Sequence, residues 1–409
     1  MKKVVLYAIT ASMIFGNYAC NKDDAQKGVK PFEPIELTVK QAEKADADNR
    51  FAFNMFREVS ALSNDPNTFF SPLSLNLALG MLYNGASGET RAEMAEVLGM
   101  ADFSETEINE YYQKMSQALL KIDPLTDISI ANSIWYRDGL SVKQPFIDVN
   151  KTYFDAEVQS LDFNQSNAAD IINKWCADKT KNKIKEIIKN PIPGEIMMYL
   201  INALYFKSKW QNQFEKEKTK SDDFTKADQQ KKRVNMMEQT TPLPYYADQD
   251  IQCVEMPCGN KAFSMVVALP INDSNLDRLI ESLDNASWQN VVNNLHEREV
   301  WLKLPRFKIE CDIPLNDPVK NVGMNKIFVG GFEKISDVDL RVSDIKQKTF
   351  VEVNEEGAEA AAVTVIGMEL SAGPGTTVQF FANRPFLYLI KEKSTGVILF
   401  IGRMDEPVE

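Results

Sequence analysis

Proton transfer near neutral pH falls most readily to histidine. This chain has one, His296, in the charged stretch Asn294-Leu-His-Glu-Arg298 that leads into a strand-like run. A Ser-His-Asp or Cys-His system needs an imidazole beside its nucleophile, and a lone histidine among charges reads as a solvated surface residue. No HExxH, P-loop or GxGxxG pattern is present. Adjacent carboxylates such as Asp23-Asp24, Asp222-Asp223 and Glu355-Glu356 are ordinary on solvated surfaces. Beyond Cys20 there are Cys176, Cys253, Cys258 and Cys311, which with a single histidine form no cluster of metal-ligand spacing. A chain of 409 residues can bury a core without cross-links, so these are expected as buried free thiols. The expectation is a protein that is not an enzyme, with no catalytic residue, no metal and no cofactor.

The informative chemistry lies instead in residues 355–362, Glu-Glu-Gly-Ala-Glu-Ala-Ala-Ala. They follow the strand-like run Thr349-Phe-Val-Glu-Val-Asn354. They lead into the β-prone Val363-Thr-Val-Ile366 and then Ser371-Ala-Gly-Pro-Gly-Thr-Thr377. No proline interrupts Phe350–Gly373, although exposed loops favour turn-forming residues. A segment destined to be a central strand needs this, because proline cannot donate to the ladder. In an extended chain alternate side chains share a face. One face would carry Ala358, Ala360, Ala362, Thr364 and Ile366, small and then apolar, suited to slipping between strands. The other would carry Glu359, Ala361, Val363 and Val365, with Glu359 left in solvent. Alanine favours helix, so the same letters also allow a short alanine-rich helix or a flexible hinge.

The stretch Val353-Asn-Glu-Glu-Gly-Ala-Glu-Ala-Ala-Ala362 resembles the hinge of the serpins, protease inhibitors with a mobile reactive loop. Four further stretches resemble that family in the same order. They are Asn67-Thr-Phe-Phe-Ser-Pro-Leu-Ser74 with Ala78-Leu-Gly-Met-Leu-Tyr83, Ala131-Asn-Ser-Ile-Trp135, Asn202-Ala-Leu-Tyr-Phe-Lys-Ser-Lys-Trp210, and Phe380-Phe-Ala-Asn-Arg-Pro-Phe-Leu-Tyr-Leu-Ile390. The resemblance spans roughly residues 48–405. It implies an α+β serpin fold with three β-sheets, about eight to nine α-helices and an exposed reactive-centre loop.

The resemblance also implies a mechanism. The loop, about residues 355–377, is bait. A protease attacks it and forms an acyl-enzyme, and the cut loop inserts into the large sheet and distorts the protease. The hinge would be Glu355, Glu356, Gly357, Ala358, Glu359, Ala360, Ala361 and Ala362. Ser71, Ser74 and Asn202 match the polar cluster under the sheet, and Gln347 falls where the family usually has histidine. Glutamine can donate and accept, but it cannot act as a pH switch. Trp210 matches the aromatic residue where insertion begins. Glu355 would pair with Arg306, where the family usually has lysine.

Family spacing puts the scissile bond near Ser371-Ala372. The return to Asn383 is about three residues longer than usual, which keeps Leu370-Ser371 and Met368-Glu369 open as well. No Lys or Arg lies between Gly357 and Arg384, which disfavours trypsin-like targets. Leu370 or Met368 suits chymotrypsin- or cathepsin-like pockets, Ser371 or Ala372 an elastase-like one, and Glu369-Leu370 a papain-like cysteine protease. The expected partners are endopeptidases, serine and also cysteine, with the protein itself a monomer.

The remaining elements would hold this loop in place. Asn49–Leu62 has helical apolar spacing. Ser71-Pro72 reads as an N-cap with proline at the first helical position, opening a helix apolar nearly all round and therefore buried. Thr90–Leu98 reads as a short amphipathic helix. Ile128–Tyr136, Tyr199–Phe206, Ala262–Leu269 and Val300–Ile309 read as strands, and Tyr388–Ile390 with Val397–Ile401 as a buried hairpin. Lys174–Lys189 reads as one solvated helix face.

The composition, 44% hydrophobic with net charge −12, is globular and argues against a nucleic-acid partner. Met1-Lys-Lys3 and the apolar Val4–Phe15 read as a secretory signal over 1–19, too short to span a membrane. Cys20 resembles a bacterial lipobox cysteine, although Asn17 stands where leucine is usual. Its lipid would be the sole membrane attachment. Residues 20–45 lack apolar periodicity and read as a tether, with the folded domain over 46–409. The location implied is a bacterial cell envelope, at the outer membrane and surface-exposed, or extracellular if shed.

Overall fold

The computed structural model describes residues 32–272, 275–358 and 377–409, and residues 32–409 form one unit. In its first half lie α1 (Val39–Leu62), β1 (Thr68–Phe70), α2 (Pro72–Tyr83), α3 (Gly88–Val97), α4 (Glu105–Leu119), β2 (Asp127–Arg137) and α5 (Gln144–Phe154). Then come β3 (Glu157–Leu161), α6 (Ala168–Lys179), β4 (Met198–Lys209), β5 (Lys220–Thr225), β6 (Lys231–Ala247), β7 (Ile251–Cys258) and β8 (Phe263–Pro270). The second half adds α7 (Leu276–Ser282), α8 (Asn285–Asn293), β9 (His296–Pro305), β10 (Phe307–Pro314) and α9 (Asn316–Asn321). It ends with β11 (Lys346–Val353), β12 (Gly357–Ala358), β13 (Val378–Phe381), β14 (Phe386–Glu392) and β15 (Ile398–Met404).

Among the described residues six strands make one sheet, in the order β10-β11-β12-β4-β2-β3. The rest make a nine-stranded sheet, β1-β15-β14-β8-β7-β6-β9-β13, with β5 paired to β6. Two of the three expected sheets are thus joined through the long strand β6, which pairs with β5, β7 and β9. Strand β10 alternates strictly, with Phe307, Ile309, Cys311 and Ile313 buried and the residues between them exposed. Strands β8 and β14 are buried along their whole length, as their continuous apolar runs require.

Helix α2 sits between the sheets. Ser71 caps it, accepting from Ser74 N at 3.2 Å, Pro72 opens it, and nearly every residue is buried. Phe69, just before it, stacks on Phe400 and Tyr388 with centroids 4.8 and 5.7 Å apart. Such pairs add about 0.5–1.5 kcal/mol each beyond burial. A second, smaller core under α6 gathers Trp135, Phe163, Ile172, Trp175, Cys176, Ile184, Ile187, Ile188 and Ile201. The four cysteines among the described residues are free and buried.

Four expectations need correction. Helix α1 starts at Val39, inside the stretch read as tether, with a capping box between Thr38 and Gln41. Val300–Ile309 is two strands that part at Arg306, whose backbone N donates to Asn235 O at 2.9 Å. His296 opens β9 instead of preceding a strand, and it is exposed as expected. The run Lys174–Lys189 is helical only to Lys179, and the chain then crosses to β4 without regular structure.

Candidate functional site

Strand β11 ends at Val353, and the chain reverses at once. Asn354 makes the turn by itself. Its backbone N donates to Gly357 O at 3.0 Å, and its Oδ1 accepts from Glu356 N at 3.0 Å, an Asx turn of the kind asparagine favours. The reversed chain becomes β12. Ala358 lies opposite Val353 on one side and Ser208 on the other, and Gly357 lies opposite Lys209. A β-carbon on Gly357 would sit 2.1 Å from Ser208 O and 2.6 Å from Lys209 Cα. Glycine is therefore needed here for close approach to β4, not for an unusual backbone angle as its place in a hinge would suggest.

Trp210 closes this corner. Its indole Nε1 donates to Asn354 O at 2.8 Å and its backbone N to Glu356 O at 2.9 Å. Phe214 N donates to Glu355 O at 2.9 Å. The Glu355 side chain is 3% exposed and accepts from Arg306 Nε at 2.7 Å, with Arg306 Nη2 and Thr219 Oγ1 on the same oxygen. Glu356 pairs with Lys216 Nζ at 2.6 Å. Phe214, Lys216 and Thr219 were not among the residues read from the sequence, and Asn354 was read there only as part of the hinge stretch. Lys216 and Thr219 lie in an unremarkable charged stretch far from 355 in the chain, so no local signal marks them.

Burial pushes the Glu355 carboxyl up, and hydrogen bonds from Arg306 and Thr219 draw it down further, so its pKa lies below the ordinary glutamate value. A carboxyl depressed on folding stabilises the fold above its unfolded pKa of about 4.3. That contribution fades as pH falls through the folded value. Glu355→Gln is expected to melt below wild type at neutral pH, with the gap narrowing as pH drops below about 4. Melting curves across that range check it, and a gap that stays constant means the Glu355 charge does not hold the corner.

Among the described residues β4 and β11 pair with β12, and no ladder joins them to each other. A void of about 10 Å³ lies beside Ala358 against Phe69, Phe206, Ile390 and Phe400. A cavity of about 330 Å³ lies lower, walled by β4, β11, α2 and the crossing chain after α6, with Ser74, Asn202 and Gln347 on its lining.

The Gln347 amide is spent on Ser71. Its Oε1 accepts from Ser71 N at 2.7 Å and its Nε2 donates to Ser71 O at 2.9 Å, tying β11 to the start of α2. Ser71 Oγ donates to Leu399 O at 2.8 Å. Asn202 points away from this pair. Its Nδ2 donates to Asn132 Oδ1 at 2.7 Å, and Asn132 Nδ2 donates to Phe154 O at 2.7 Å. Asn202 Oδ1 is buried without a hydrogen-bond partner among the described residues. Ser71, Ser74, Asn202 and Gln347 therefore surround one space as two hydrogen-bonded groups, and Asn132 is the member the sequence reading missed. Glu359, Ala360, Ala361, Ala362, Met368, Leu370, Ser371, Ala372 and Cys20 lie outside the described residues.

Residues 46–407 match the family model for serpins, the serine protease inhibitors. The chain is 34% identical to Iripin-3 of Ixodes ricinus over 348 residues, 83% of this chain and 88% of that one. The native state of tengpin, a thermophilic serpin, superposes with a TM-score of 0.81 at 29% identity, covering 92% and 97% of the two chains. Human thyroxine-binding globulin complexed with its hormone superposes with a TM-score of 0.83 at 26% identity, covering 91% and 100%. The chain belongs to the serpin family, and its fold is the serpin fold.

Proposed function

We propose that this protein is a single-use inhibitor of endopeptidases. The observation that carries the reading is β12, already laddered between β11 and β4 at the hinge. A protease nucleophile attacks a carbonyl within Met368–Ala372, and the peptide C–N bond breaks. The N-terminal piece is left on the enzyme as an acyl ester, or a thioester where the nucleophile is cysteine, and the new amine stays on the C-terminal piece. Two fates then compete. Water can hydrolyse the ester and free both proteins, or the freed loop can insert and carry the tethered enzyme with it.

The register that Ala358 begins says where insertion would lead. Continued downward, it sets Ala360 against Phe206 and Val351, Ala362 against Leu204 and Thr349, and Thr364 against Asn202 and Gln347. The Thr364 hydroxyl would reach the orphan Asn202 Oδ1. Glu359 falls beside Lys207 on the solvent face, while Val363 and Val365 fall beside Ala203 and Ile201, in the core under α6. The polarity of the outward face thus changes where the sheet becomes covered. Ladder hydrogen bonds at a net of about 1 kcal/mol each and apolar side chains at roughly 1.5–3 kcal/mol each together release on the order of 10–30 kcal/mol.

The absence of Lys and Arg from the loop points to elastase-, chymotrypsin-, cathepsin- or papain-like targets. The leader-like segment and Cys20 support a location in a bacterial envelope on a lipid anchor. Incubation of residues 32–409 with neutrophil elastase, chymotrypsin and a papain-like protease is the test. An SDS-stable covalent complex and a cut within 368–372 are expected. Clean cleavage without a complex by all three would favour the second reading, a binding module of the serpin fold. The likeness to a globulin that carries thyroxine gives that reading its support.

A further inference from the structure

Strand β4 outruns its neighbour on one flank. Its ladder with β2 ends where Asp127 faces Lys207, yet the two residues that receive β12 are the next ones, Ser208 and Lys209. Among the described residues no ladder with β2 backs these two. Side chains and a turn brace them instead.

The brace centres on Asp123, in the connection between α4 and β2. Asp123, Thr126 and Ser208 are 3%, 8% and 1% exposed. Asp123 Oδ1 accepts from Leu125 N at 2.9 Å. Its Oδ2 accepts from Asn260 N at 3.2 Å and from Thr126 Oγ1 at 2.6 Å. Thr126 Oγ1 also lies 2.6 Å from Ser208 Oγ. A hydroxyl carries one proton, and a carboxylate only accepts. The Thr126 proton goes to Asp123, so Ser208 must donate to Thr126. The chain therefore has a direction, from Ser208 through Thr126 to the charge on Asp123, and its last bond is of the stronger, charge-assisted kind. The turn between β7 and β8 closes the same corner. Asn260 Nδ2 donates to Ile122 O at 2.9 Å, and Gly259 N donates to Lys209 O at 2.9 Å. A β-carbon on Gly259 would sit 1.8 Å from Asp123 Oδ2, so only glycine lets the turn come this close to the carboxylate.

We propose that Asp123 is a positioning residue for loop insertion, holding Ser208 through Thr126 so that the end of β4 is a fixed edge for the incoming strand. Ladder bonds need N–H and C=O groups aimed within narrow limits of distance and angle. Ser208 stands opposite Ala358, the last residue already paired, so play at Ser208 passes to every pair that follows. Without the Thr126 hydroxyl, the Ser208 hydroxyl is buried with its acceptor gone, the costly way to break a hydrogen bond. The end of β4 then gains by shifting. A loose edge delays the first new pairs, and water gains time to free the enzyme. That consequence rests on the inhibitor reading given above, whereas the bracing of β4 does not.

The test compares residues 32–409 as wild type, Thr126→Val and Thr126→Ser by hydrogen exchange, with trapping of elastase, chymotrypsin and a papain-like protease measured in parallel. Thr126→Val keeps the shape of the side chain and removes the hydroxyl. It is expected to raise exchange at residues 206–211 by about tenfold, the factor that corresponds to about 1.4 kcal/mol. Residues 198–204 of the same strand, backed by β2, should keep their protection. Trapped complex per cleavage should fall about fivefold, with the rate of loop cleavage within a factor of about two of wild type. Thr126→Ser restores the hydroxyl and should return both readouts to wild type. No local rise in exchange, or a uniform rise across the whole domain, overturns the brace. A local rise with trapping unchanged overturns its part in insertion. If wild type traps no protease, the inhibitor reading fails, and the exchange pattern alone decides the brace.

Discussion

Ala360→Glu is expected to turn the protein from an inhibitor into a substrate. The register fixed by Ala358, opposite Val353 and Ser208, brings residue 360 over Phe206 and Val351. The space waiting there is a void of about 10 Å³ between aromatic rings and Ile390. It takes a methyl group. A glutamate would have to lose its hydration with no cation among those neighbours, and burying an unpaired charge carries a penalty of several kcal/mol. Insertion would stall one step past the hinge, while the loop's cleavage site would be unchanged. Trapped complex should fall by at least about tenfold, with the rate of loop cleavage within a factor of about two of wild type. Densitometry of SDS gels against time gives both numbers, and a variant that still traps at the wild-type level shows that residue 360 never enters the sheet.

Cutting the loop is the second large effect expected, and it should make the protein more stable, not less. Insertion on the order of 10–30 kcal/mol downhill should raise the melting temperature of the cut protein by roughly 15–40 °C, from the unfolding entropy of a chain this long. Calorimetry before and after limited proteolysis within 368–372 reads it directly. An unchanged or lowered melting temperature would mean that the sheet does not accept the loop, and would favour the binding-module reading. Ala360→Glu should lose most of the gain, so the two experiments bear on one register by independent routes.

Parts of this arrangement are legible in the letters and parts are not, for physical reasons. The capped, all-apolar helix α2 was readable because Ser71-Pro72 is a local start signal and a helix buried on every side needs no pattern. The strands of the buried hairpin were readable as continuous apolar runs. The start of α1 was not, because its buried face is partly polar. Lys44, Asp48 and Asn49 occupy inward positions, where Lys44 is paired with Asp48 and sits 5.8 and 5.2 Å from the ring centres of Tyr111 and Tyr112. A periodicity count takes such residues for solvent. The Thr38–Gln41 capping box was the signal available.

The site divides the same way. The Arg306–Glu355 contact was expected from family resemblance, and the two residues do meet. Thr219 and Lys216, which complete the corner, come from a stretch with nothing to distinguish it from any charged surface. The need for Gly357 was visible, but its cause was not. Close approach of a neighbouring strand is a tertiary fact, and the sequence shows only that some backbone freedom is wanted. The run Lys174–Lys189 was misread for a related reason. Its lysines look like one helix face, whereas Asn173 and Thr180 fold the chain after α6 through side-chain contacts that carry no periodic signature.

The place of the last two strands bears on how the protein is made. β14 pairs with β8 on one flank and β15 on the other, and β15 in turn pairs with β1. The final stretch of the chain therefore fills the second and third places from one edge of the nine-stranded sheet. A polypeptide leaving a ribosome or a secretion channel from its N-terminus exposes β1 and β8 long before their partners exist. Until the C-terminus emerges, both wait with unpaired ladder groups and bare apolar faces, the condition in which chains aggregate. This part of the sheet cannot close until β14 and β15 have been made.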